Sequence, residues 1–228
     1  MMRSPVNEAD IALAEAERDA LRMTDVVRTM LRRLQGLFDG DERQAIDAIK
    51  ELDEELDELN ERIEMRLGML IGRKHPKQHV TRCSALLELA GHVEHVADVV
   101  NRLLVRGSSR SLRHGVRLSP AARAGMAELL LLLQSHLKLC AISFAHAGPN
   151  ALKYLAKQRD ALRRVEREIA RENLRREAAG PNAPARPFAF ALGCLRRIND
   201  RLAVIPGLAT SGWRLSLSIA NGRHTKAL

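Results

Sequence analysis

Between Ile49 and Leu70 the apolar residues Ile49, Leu52, Leu56, Leu59, Ile63, Leu67 and Leu70 return at intervals of three and four, in a run dominated by charged side chains. That alternation draws a single apolar stripe along one side of an α-helix, so the stretch is expected to lie nearly antiparallel against another helix. Residues 9–38 supply a matching stripe in Leu13, Leu21, Val27, Leu31 and Leu34, and Gly36 with the Asp39-Gly40-Asp41 cluster is expected to end it. Only 3% of the residues are aromatic, so any core must be built from Leu, Val, Ile and Ala. Such a core favours helix on helix over a sheet. The expected fold class is all-α.

Pro76 breaks the chain after the second helix, and a third is expected from about Gln78 to Val105. The loop Gly107-Ser108-Ser109-Arg110-Ser111 follows, and Ser119-Pro120 reads as a cap with proline at the first helical position. A fourth helix runs through AELLLLLQSHLKLCAISFA to Gly148-Pro149, and a fifth, heavily charged, from Ala151 to Ala178. A second loop spans Gly180 to Pro187, and a sixth helix is expected from Phe188 to Leu208. The order is three helices, a loop and three helices. A shift of 102 residues lays Gly91 on Gly193, Val93 on Leu195, Asp98 on Asp200, Ile63 on Val165 and Glu64 on Glu166. One offset aligning two helix pairs and a glycine indicates a duplicated three-helix unit. The expected units are residues 9–106 and 117–209, with 210–228, including Trp213, as a tail.

Leu86–Leu104, LLELAGHVEHVADVVNRLL, is unusual in setting two histidines, three carboxylates and an asparagine into an apolar run. On a helical projection Leu86, Leu89, Ala90, Val93, Ala97, Val100 and Leu104 share one face. Glu94, Asp98 and Asn101 flank it, while Glu88, His92 and His95 point nearly the opposite way.

The net charge of +9 is unevenly placed. Residues 1–72 hold 10 basic and 18 acidic side chains, net −8, and residues 73–228 hold 27 basic and 10 acidic, net +17. This suggests an electrostatic partner, although an arginine-rich solvated surface would give the same count. Cys83, Cys140 and Cys194 are odd in number and widely spaced, which fits small buried thiols in a reducing cytoplasm rather than a disulfide framework. No apolar run approaches the roughly 18 residues of a membrane span, and the start lacks the apolar core of a signal peptide. No nucleophile elbow, phosphate loop or Ser/His/Asp arrangement is visible, so no enzyme is expected. The scarcity of aromatics and of a helix-turn-helix pattern also argues against a nucleic-acid partner.

ALAEAERDALRMTDVVRTMLRRL (12–34), ELDEELDELNERI (51–63) and LAGHVEHVADVVNRLL (89–104) appear in the order of a PhoU-type domain. With HGVRLSPAARAGM (114–126) and CLRRINDRL (194–202), the chain most resembles the cytoplasmic C-terminal PhoU-like domain of bacterial sodium/phosphate cotransporters. The resemblance covers roughly residues 9–209. It implies two tandem three-helix bundles related by an internal repeat, and a regulatory role in phosphate transport and homeostasis. The implied place is the cytoplasm at the inner face of the membrane. The implied partners are a membrane phosphate transporter, or a membrane part of the same protein, a sensor kinase, and a second copy in a homodimer.

The family's hallmark is an acid followed four residues later by aspartate in each repeat's third helix, a position that can hold iron or a divalent metal. Glu94 and Asp98 match it in the first repeat, with Asn101 as a third oxygen donor and His92 where the family has an earlier acid. In the second repeat Asp200 is kept, but Arg196 replaces the acid and Cys194 the earlier one. Arg196, Arg197 and Arg201 beside Asp200 therefore suggest contact with an acidic partner or an anion. The Glu88, His92 and His95 spacing could serve zinc or nickel, although a surface histidine pair is the commoner outcome. A metal-binding bundle that stores or senses metal without a transporter is the alternative reading.

Overall fold

The computed structural model describes residues 5–39, 42–71, 76–107, 120–145, 149–178 and 185–208. Among them are α1 (Pro5–Asp39), α2 (Glu42–Ile71), α3 (Lys77–Gly107), α4 (Pro120–Ala145), α5 (Pro149–Ala178) and α6 (Ala185–Leu202), and no strand. The Ser119 cap, the loops at 108–119 and 179–184, and the tail with Trp213 lie outside the described residues.

Most of the α1 and α2 stripes are buried: Leu13, Leu31, Leu34, Ile49, Ile63 and Leu67 lose all contact with solvent, while Leu21 and Leu52 are half-buried. Each such aliphatic side chain contributes about 1.5–3 kcal/mol when fully buried. α1 packs on α2 and α3, and α2 on α3; α4 packs on α5 and α6, and α5 on α6. The two three-helix bundles meet where α1 crosses α4 and α3 crosses α6. The flanking helices need only narrow stripes, and α5 buries Leu155, Leu162 and Ile169 at seven-residue intervals. Centrally placed α3 buries a second row, Val96, Val99 and Leu103, beside the expected face.

Paired charges bind α1 to its own bundle. Arg22 reaches Glu55 at 2.8 Å, Arg66 joins Glu15 and Asp19, and Arg82 reaches Glu17 at 2.5 Å. Arg22–Glu55 is exposed and fixes register more than it stabilises, whereas Arg66–Asp19 and Arg82–Glu17 are part-buried.

α1 ends at Asp39, in the expected cluster, and runs through Gly36 because one helical glycine costs only about 1 kcal/mol. The last helix differs from expectation at both ends. The sixth helix begins earlier, at Ala185, with Pro187 in its first turn, where proline's missing N–H is not needed. It also ends at Leu202 rather than Leu208. Pro206 has no N–H for the Leu202 carbonyl four residues back, and its ring would collide with it. Residues 203–204 form a turn, and 205–208 form a separate helical turn. The carbonyl that Pro206 frees accepts the Cys140 thiol at 3.4 Å. Burial pushes that thiol up to about 12, so it remains a protonated donor. All three cysteines are buried thiols outside any disulfide, as expected.

The reading that no segment suffices to span a membrane also needs correcting. By length and composition α4 would suffice. Its placement explains part of its composition: α4 touches α1, α5 and α6, burying Leu130, Leu133, Leu137 and Phe144 completely, while Leu131 and Ile142 stay exposed. A helix surrounded on several sides must be apolar on several sides.

Candidate functional site

The two bundles present equivalent grooves, one between α2 and α3 and one between α5 and α6. In the first, Asn60 on α2 donates to Glu94 on α3 at 3.3 Å and to Glu64 at 3.4 Å. Burial and then the neighbouring carboxylates Asp98, Glu64 and Asp57 push the Glu94 carboxyl above its usual range. Asp57 is likewise raised, by burial and by Asp53, Glu61 and Asp98. These shifts place Asp57, Glu64, Glu94 and Asp98 in one mutually repelling patch.

Such a patch invites comparison with the metal site that the family hallmark implies. Among the described residues, no three or more His, Cys, Asp and Glu side chains come together as a ligand set. The Asn60 amide instead bridges Glu64 and Glu94. As they stand, these side chains do not fit a closed metal centre.

His92 belongs to a different place. Its imidazole is lowered by burial, then by Arg201 on α6, and is raised by Glu88. His95 is lowered by burial, Arg201, Arg102 and Arg197. Both histidines are half-buried in the α3–α6 seam, so they are not the exposed back face that the helical projection indicates. The projection fails because it allows α3 one buried face, whereas α6 covers a second. His92 therefore lies apart from Glu94 and Asp98. Asn101 is half-buried.

The expected basic group on α6 also divides. Arg197 and Arg201 face the α3 histidines, while Arg196 and Asp200 line the α5–α6 groove. That groove is an open cleft of about 540 Å³. Arg163, Arg164, Arg167 and Arg196 contribute guanidinium groups to it, and Asp160, Glu166 and Asp200 contribute carboxylates. Arg196 Nε lies 3.5 Å from Glu166 Oε1. The cleft also contains Asn199, which is only 4% exposed and whose Oδ1 has no hydrogen-bond partner among the described residues.

The 102-residue offset holds at this level. Glu64 faces Glu94 across the first groove, and Glu166 faces Arg196 across the second. The same offset lays Asp57 on Arg159, Glu61 on Arg163 and buried Ala97 on buried Asn199. Asn199, Arg163 and Arg167 were not singled out from the sequence. A signal was available for Arg163, which the repeat sets against Glu61, but not for Arg167, which falls on Met65.

The sequence model of the family described as PhoU domain matches residues 20–104, most of the first bundle. Across nearly the whole chain the fold is that of PhoU proteins. PhoU from Pseudomonas aeruginosa superposes with a TM-score of 0.78 at 17% identity, covering 90% of this chain and 98% of that one. A PhoU-like phosphate regulatory protein from Shewanella oneidensis MR-1 gives a TM-score of 0.62 at 12% identity, covering 92% and 99%. No curated protein matches this chain.

Proposed function

We propose that this chain is a non-catalytic regulatory domain in phosphate homeostasis, serving as the cytoplasmic part or partner of a sodium-dependent phosphate transporter at the inner face of the membrane. The observation that carries this reading is the PhoU domain match over residues 20–104, within a chain of PhoU fold along nearly its full length. Two further features support a docking role rather than catalysis. One groove is acidic and the other mixes charges with arginine in excess, and such differences in charge steer and register protein partners. The described titratable groups also form helix-to-helix pairs and grooves rather than a nucleophile with an oriented base. A sensor kinase and a second copy of the chain are further candidate partners. Deleting the gene should change the rate of radiolabelled phosphate uptake, and a plasmid copy should restore it; unchanged uptake would overturn the proposal.

The repelling carboxylates Asp57, Glu64, Glu94 and Asp98 favour a second reading, a bundle that stores or senses metal without a transporter. A divalent cation would relieve their repulsion if the side chains closed around it, with Asn101 as a further oxygen donor. Elemental analysis of purified protein tests this. Stoichiometric metal that disappears in Glu94→Ala/Asp98→Ala would support it, and metal-free wild type would exclude it.

A further inference from the structure

The α5–α6 cleft differs from an ordinary solvated arginine face in one respect. Buried Asn199 is one of its lining residues, and its Oδ1, closed to solvent, has no hydrogen-bond partner among the described residues. A buried polar atom without a partner is costly, and native proteins keep few of them. The matching position in the first bundle is Ala97, which carries no such atom. The cleft therefore combines guanidinium groups that attract an anion with one acceptor that requires a donor from the same ligand.

We propose that this cleft binds a small phosphate-bearing molecule, with Arg163, Arg167 and Arg196 on the phosphate oxygens and the Asn199 side chain turning so that its Oδ1 accepts a hydroxyl of the ligand. Arginine suits the first task because its planar fork pairs with two phosphate oxygens at once. A fully ionised sulfate has oxygens but no hydroxyl, so it can satisfy the arginines and leave Asn199 unpaired. Asp160 and Asp200 are acceptors too, so they repel a bare polyanion and favour a ligand that also carries hydroxyls. The cleft, about 540 Å³, lies within the size range of small-molecule sites and exceeds what one phosphate ion fills. Free phosphate and a phosphorylated sugar share the required chemistry. This inference rests on the cleft alone and is independent of the transporter reading.

Isothermal titration of the full chain with inorganic phosphate, glucose 6-phosphate, glucose and sulfate tests it. Phosphate or glucose 6-phosphate should bind measurably, and glucose alone should not; the tighter of the two phosphate compounds identifies the source. Arg163→Gln/Arg167→Gln changes two exposed side chains and should weaken binding at least tenfold without altering helical content. Asn199→Ala should bring phosphate affinity down to that for sulfate, with circular dichroism checking the fold. Absence of binding to either phosphate compound at millimolar concentration would overturn the proposal, as would binding that the arginine variant leaves unchanged. Equal affinity of wild type for phosphate and sulfate would remove the role of Asn199.

Discussion

The two bundles share a scaffold and differ in how they treat polar groups between helices. In the first bundle Arg22, Arg66 and Arg82 reach carboxylates on neighbouring helices. In the second, Gln134, His136, Gln158, Arg159 and Asn199 each have a buried side-chain atom without a hydrogen-bond partner among the described residues. His136 and Arg159 line a further void of about 130 Å³. Duplication can keep the apolar stripes, which position helices, while the polar positions diverge. The first bundle ties its helices together with ion pairs; in the second, Asn199 lines one cleft and His136 with Arg159 another, where a ligand or partner could satisfy them.

The largest expected effect tests what the bundles share. Leu89→Ala on α3 and Leu195→Ala on α6 both empty fully packed positions, and each should cost about 2–5 kcal/mol in urea unfolding. A cost confined to one bundle would break the equivalence of their cores.

A somewhat smaller effect tests what is peculiar to the second. Burial, then Arg159, holds the His136 imidazole down at about 4. Its ordinary value is 6.5, so the folded state resists protonation more than the unfolded chain. The contribution is complete above pH 6.5 and is lost as pH falls towards about 4, amounting to about 3 kcal/mol. His136→Leu should lose markedly less stability than wild type between pH 7 and pH 4.5. Parallel acid profiles would show that His136 is not the group responsible.

Glycines separate one tightly packed position of the second bundle from open positions in both. A Cβ at Gly125 would lie 2.8 Å from Ile169 Cγ1, close to the branch of a buried side chain, so α4 and α5 approach where no larger residue fits. Gly125→Ala should give a net loss of about 1 kcal/mol in stability. Gly91 and Gly193, aligned by the repeat, have open space around them, and nothing in the structure explains their match. Alanine at either should stabilise by about 0.5–1 kcal/mol, and thermal unfolding of the three variants would show the difference in sign.

The smallest effect addresses groove charge directly. Glu94→Gln relieves repulsion and should add about 0.2–0.5 kcal/mol at pH 7. Because the folded Glu94 carboxyl lies above its ordinary value, that gain should shrink as pH falls towards the acid range, where the wild-type carboxyl is itself protonated. Arg196→Gln removes an attraction to Glu166 and should cost at most about 1 kcal/mol, since Arg196 is well exposed. Chemical denaturation at pH 7 should thus give opposite signs at two positions related by the repeat.

Helix spacing made the all-α class and the three-plus-three order readable, because apolar stripes follow a fixed period whatever they pack against. Leu89 and Val93 could be assigned to the core from sequence for that reason. The second buried row on α3, Val96, Val99 and Leu103, was not readable, because a projection shows which residues align but not how many neighbours a helix has. The same limitation hid His92 and His95 in the α3–α6 seam. The early end of α6 had a local cause in Pro206, but the compensating Cys140 contact joins residues 62 apart. Arg196 and Asp200 were identified through the hallmark position on α6. Arg163 and Arg167 were missed because their significance depends on α5 facing α6.

Thermal unfolding of the full chain with and without inorganic phosphate, in wild type and in Arg196→Glu, tests the inverted-groove account most directly. A ligand that binds only the folded state raises Tm. Phosphate should raise the Tm of wild type and have little effect on the variant, whose second groove regains the acid of the first. An equal rise in both proteins, or none in wild type, would contradict the account.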